Sequence, residues 1–232
     1  MKAQHLAGLA LITSMSLGCM NNQKTEGNAT AVSTATALLD PWNGPYGGVP
    51  PFDQVRIEDF IPAVEAAISE KRAEIGAIAS HEAAPDFANT LEALEKAGAA
   101  LKRVQSVYSI WTSSMSSPEM DSIQTLLEPR LAAFNDSIIQ NKALFERIDA
   151  VYKNADRSKL SPEQQRLLER VHSQFVLAGA KLDEEAKKKV AEINQKLAGL
   201  FTRFSQNQMA DESEKFVEIS NECELSGLPE IF

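Results

Sequence analysis

From Ile57 to Phe204 the apolar residues of this chain recur at spacings of three and four, the period of one face of a helix. Strands need alternation or short β-branched runs, and almost none occur. The pattern therefore predicts an all-α fold, a bundle of long antiparallel helices. Local punctuation divides it. Ile57, Ile61, Val64, Ile68, Ile75 and Ile78 share the face of a first helix, with Pro62 where no backbone donor is needed. Asp86 is placed to cap a second, whose stripe runs through Phe87, Leu91, Leu94, Leu101, Val104, Tyr108 and Trp111.

Ser117-Pro118-Glu119 opens a third helix carrying Ile123, Leu127, Leu131, Phe134 and Ile138. A short fourth holds Leu144, Phe145, Ile148 and Val151. Ser161-Pro162-Glu163-Gln164 is a capping box for a fifth, with Leu167, Leu168, Val171 and Phe175 inward and Gly179 as its stop. The sixth is the most regular. Behind an Asp183 cap, Ala186, Val190, Ile193, Leu197, Leu200 and Phe204 form a heptad seam suited to another long helix at a shallow angle. The helix from Ser161 is its expected hairpin partner. Lys215 to Ser220 is the one candidate strand. Asp40 to Gln54, with four prolines and three glycines, predicts an extended segment packed on the helices.

The beginning of the chain has a different character. Lys2 and His5 precede an apolar and small-residue run from Leu6 to Leu17, and Ser16-Leu17-Gly18 leads into Cys19. This resembles a bacterial lipoprotein signal, although Ser16 stands where that signal has an aliphatic residue; an ordinary secretory signal cut nearby is the alternative. The run is too short to span a bilayer. The expected organisation is a signal peptide over 1–18, a lipidated Cys19 and flexible tether over 19–38, and a helical domain over 39–232. The mature protein is thus expected to be exported and lipid-anchored, at the periplasmic side or the outer membrane. Met20 to Ala37 has the Asn, Thr, Ala and Ser content of a tether.

Charge narrows the partners. A net charge of −9 argues against nucleic acid, whose backbone requires clustered Lys and Arg. Lys187-Lys188-Lys189, following Glu184-Glu185, reads as the solvated face of a helix.

His81-Glu82-Ala83-Ala84-Pro85 is the zinc-protease signature with proline in place of its last histidine. That signature sets two imidazoles one helical turn apart, and Pro85 removes one while breaking the helix. The segment lies between two predicted helices and reads as a turn. The three histidines, His5, His81 and His172, include no pair at metal-ligand spacing. His172 reads as a surface or half-buried packing residue. Cys223 has no intrachain partner once Cys19 carries lipid, and reads as a plain, partly buried thiol. No catalytic, cofactor-binding or metal-ligating residue is assigned; Cys19 is the one modification site.

Several stretches together resemble one family. "VPPFDQVRIEDFIPAVEAAISEKRAEI" from Val49, "PDFANTLEALEKAG" from Pro85, "LDEEAKKKVAEINQKLAGLFTRFSQN" from Leu182 and "ELSGLPE" from Glu224 are similar, in kind and order, to the opening region of the thimet oligopeptidase family. The similarity is strongest to its bacterial peptidyl-dipeptidase and oligopeptidase A branches.

The resemblance implies a helical zinc metallopeptidase acting on short peptides, with zinc as cofactor of the full-length enzyme and none expected for this chain alone. Its His-Glu-x-x-His helix would belong to a later part of the polypeptide. These helices would then wall a channel that admits flexible peptides, and would pack against the C-terminal catalytic region. Pro229-Glu230 suits the first turn of a helix that the family continues, so Ile231-Phe232 is expected to mark a truncation. The alternative is a complete lipid-anchored helical binding or adaptor protein using its heptad seam for a partner helix.

Overall fold

A computed structural model describes residues 37–45 and 48–227. Cys19, the signal segment and the Pro229-Glu230 ending lie outside the described residues. Among the described residues, helical residues 37–39 are followed by seven α-helices: α1 (Phe60–Ala79), α2 (Ala93–Lys96), α3 (Ala99–Ser114), α4 (Pro118–Ile139), α5 (Lys142–Asn154), α6 (Pro162–Leu177) and α7 (Glu184–Glu214). The class is all-α, as the periodicity requires. Among the described residues no strand occurs, and Phe216 to Ser220 is irregular: β-branched and aromatic content makes no strand without a neighbouring edge to pair with.

The caps are where the sequence places them. Ser117, Ser161 and Asp183 each accept a hydrogen bond from the backbone N–H three residues on, at 3.2, 3.2 and 2.8 Å. Ser161 and Gln164 complete the reciprocal box. Gly179 adopts φ +97°, and Ala180 N–H reaches back to the carbonyl of Phe175, the close expected of a helix ending on glycine.

The second predicted helix is in fact three pieces. Asp86 caps a π-helical stretch, Phe87–Glu92, which passes into α2. The chain then breaks at Gly98 (φ +82°) before α3 begins. A side chain at Gly98 would run into the stem of Lys71, and its N–H donates to Glu74 Oε2 at 2.6 Å, so α1 closes against this break.

Two cores result. The first joins α1, α3 and α4 around Phe60, Val64, Val104, Val107, Met120 and Leu127. Phe60, whose ring meets Tyr108 and Trp111 edge-on at 5.7 Å, is its largest fully buried residue; in this half of α1 the core is centred on Phe60, Ala63, Val64 and Ala67, with Ile57, Ile61 and Ile68 partly buried against it. The Pro-rich segment packs here through Phe52, which stacks on Trp111, and so do the residues before it: Leu38, placed by expectation in the tether, is fully buried, and Arg103 Nε donates to Leu39 O at 3.0 Å. The second core joins the end of α1, the π-helical stretch, α5 and α6 through Ile75, Leu91, Leu144, Ile148, Leu168 and Phe175.

Helix α7 belongs to neither. Its most extensive neighbour is α4, not the helix from Ser161, which packs instead on α5. Three contacts fix the antiparallel register: Gln140 Nε2 to Lys187 O at 3.1 Å, Asn194 Nδ2 to Asp136 Oδ1 at 2.7 Å, and Gln206 Nε2 to Asp121 O at 2.9 Å. The face turned to α4 is small and polar, with Lys187 and Thr202 buried and Ala191, Asn194 and Ala198 partly so. The heptad seam points the other way. Ile193, Leu200 and Phe204 are 55, 56 and 66 % exposed.

Candidate functional site

The His81 segment is the turn that links α1 to the π-helical stretch, and Pro85 and the Asp86 cap explain why no helix passes through it. His81 and Glu82 are exposed, and His81 Nδ1 accepts from Ala83 N–H at 3.2 Å. What holds the turn is a residue the sequence reading missed. Arg147 of α5 is buried beneath it, donating from Nη1 to His81 O (2.8 Å) and Ala83 O (3.1 Å) and from Nη2 to Asn89 Oδ1 (2.8 Å). The signal was available: Arg147 lies between Leu144, Ile148 and Val151 on the apolar face of its helix, where a charge needs a purpose.

His172 is a packing residue, the half-buried alternative of its sequence reading, and is buried more deeply than that. Its ring stacks on Tyr152 at 3.8 Å, with Phe145 beyond, and Nε2 lies 3.0 Å from Asp149 Oδ1. Lys153 pairs with the same carboxylate, and that hydrogen bond, followed by the one to His172, holds Asp149 below the usual carboxylate range. The imidazole is thus committed to packing and to one acid, and the fold does not bring it together with His81 in a ligand set. Among the described residues no group of three His, Cys, Asp or Glu side chains is placed to hold a metal ion. Zinc therefore does not fit the donors described: one imidazole is tied into a turn and the other is sealed in an aromatic stack.

Two further corrections concern single residues. Lys187 is not part of a solvated face; its stem is buried at the α4–α7 contact and Nζ meets Glu184 at 3.2 Å. Cys223 is exposed rather than partly buried. No helix among the described residues is long and apolar enough to cross a membrane.

Among the described residues, the most continuous exposed apolar surface is the outer side of α7. Ile193, Leu197, Leu200, Phe201 and Phe204 form an apolar stripe of exposed residues, too continuous for scattered surface hydrophobics. Lys189, Lys196 and Arg203, seven residues apart, run along its border.

Residues 64–187 match the family model "Neurolysin/Thimet oligopeptidase, N-terminal domain", and the chain belongs to that family. It is 40 % identical over 173 residues to dipeptidyl carboxypeptidase of Salmonella typhimurium, covering 75 % of this chain and 25 % of that protein. The dipeptidyl carboxypeptidase of Escherichia coli is 36 % identical over 181 residues (78 and 27 %). Oligopeptidase A of Haemophilus influenzae is 32 % identical over 188 residues (79 and 27 %). The chain thus spans about a quarter of the length of these relatives.

Proposed function

We propose that this chain is the N-terminal helical part of an exported, zinc-dependent oligopeptidase that hydrolyses short peptides, releasing C-terminal dipeptides. The observation that carries the reading is the family match over 64–187 together with relatives named dipeptidyl carboxypeptidase. The role of these helices is to wall a channel that admits flexible peptides, while zinc and its ligands belong to the rest of the enzyme. The apolar stripe on α7 supports this, because a face of Ile, Leu and Phe side chains in water gains about 25 cal/mol per Å² when covered by further helices of the same enzyme. A lipid on Cys19 would tether the enzyme to the membrane after export.

The purified chain, loaded with zinc and dialysed, is expected to retain no stoichiometric metal and to cleave no N-blocked tripeptide. Chelator-sensitive cleavage by the chain itself would refute the assignment of chemistry elsewhere.

A further inference from the structure

Helices α1, α2, α4 and α6 do not close completely on one another. Between them lies a cleft of about 670 Å³, within the size range of small-ligand sites. Its polar lining is unusual in being unused: Lys71, Arg170, Asn135 and Gln174 make no side-chain hydrogen bond or ion pair with any described residue. Glu74, which acts on Lys71 electrostatically, accepts from Gly98 N–H, and Glu169, next to Arg170 in the chain, pairs with Arg157. The remaining wall is apolar, formed largely by Ile138 and Phe175, and exposed Leu177 lies at its margin. Two cations beside an apolar wall, Lys71 with only the longer-range pull of Glu74 on it, stand out in a chain of net charge −9.

We propose that this cleft binds a monocarboxylate with an apolar body, its carboxylate held between Lys71 and Arg170. The charge count selects this class. Glu95 also lines the cleft, so the lining itself carries a net of one positive charge, with Glu74 acting on Lys71 from outside it; this suits a singly charged carboxylate better than a phosphate dianion. The amides of Asn135 and Gln174 can donate to the same oxygens. Burial lowers the pKa of Lys71, and a bound anion would reverse that effect. A peptide C-terminus and a fatty acid share this chemistry. The site is argued from the described helices and stands whether or not the peptidase assignment does.

The test is calorimetric titration of the 232-residue chain with N-acetyl-Ala-Leu, its C-terminal amide, and octanoate. Binding of either acid, absent for the amide and weakened at least about tenfold in both Lys71→Met and Arg170→Gln, supports the site; the tighter acid identifies the source. Arg170 is exposed, so its variant keeps the test intact if Lys71→Met folds poorly by circular dichroism. The proposal is overturned if neither acid binds at millimolar concentration, if the amide binds as well as the acid, or if a folded variant binds like the wild type.

Discussion

Replacing Arg147 with methionine removes a buried guanidinium whose recorded partners are all neutral, while leaving the space filled. Each hydrogen bond from a charged donor contributes about 1.5–3 kcal/mol net, so three would represent roughly 4–9 kcal/mol if all were lost without recovery. Recovery is substantial. His81 and Ala83 are exposed, so their carbonyls regain water. Asn89 Oδ1 keeps the N–H of Asp86 at 3.0 Å and the hydroxyl of Thr90 at 2.8 Å. The desolvation of the guanidinium, whose Nε has no partner, is also relieved.

The expected net loss is therefore about 2–3 kcal/mol, which for a domain of this size lowers the melting temperature by roughly 4–12 °C. Urea unfolding gives the free energy, and limited proteolysis reports whether cleavage concentrates at residues 80–86. Arg147→Lys should recover little, since one ammonium cannot reproduce the fork. A variant as stable as the wild type, with an uncut turn, would show that the guanidinium does not anchor this segment.

Gly98→Ala should cost about 1–2 kcal/mol in urea unfolding, because φ of +82° is strained for any residue with a Cβ; an unchanged midpoint would mean the break is not imposed there. His172→Ala should cost about 2 kcal/mol, roughly one each for the Asp149 hydrogen bond and the Tyr152 stack, checked by thermal melting. Burial lifts the Asp136 carboxyl above its ordinary value of 3.8, against the pull of Asn194. The folded chain then binds that proton more tightly than the unfolded one, so stability falls as pH rises from 3.8 through the raised value. Asp136→Asn should accordingly compare more favourably with wild type at pH 8 than at pH 4 in paired urea melts; a constant difference would refute the sign. Leu200→Glu on the exposed stripe should leave the stability of the chain within about 0.5 kcal/mol, whereas a loss of several would place Leu200 in a core.

Local chemistry was legible where one residue decides it. Ser117, Ser161 and Asp183 cap because an oxygen on a short side chain satisfies a free N–H whatever the tertiary surroundings. Partnership was not. The spacing of Ile193, Leu197, Leu200 and Phe204 reveals a face but not what covers it, and the face that meets α4, with Asn194, Ala198 and Thr202, looks like solvent exposure in sequence. Gly98 offered a warning inside an apparently continuous helix, but only contact with Glu74 and Lys71 shows why the chain turns there. Family membership was legible because separated segments matched in order. The cleft was not, since Lys71 and Arg170 lie far apart in the chain and line one space only because α1 and α6 contribute to the same core.

Split-enzyme complementation examines the account most directly. A bacterial dipeptidyl carboxypeptidase lacking its N-terminal quarter would be mixed with this chain, and tripeptide cleavage followed. Restored cleavage by the wild-type chain, and its loss with Leu197→Glu/Leu200→Glu although that variant folds, is the predicted result. No restoration by the wild type, or equal restoration by the variant, would contradict the docking of α7 on the rest of the enzyme.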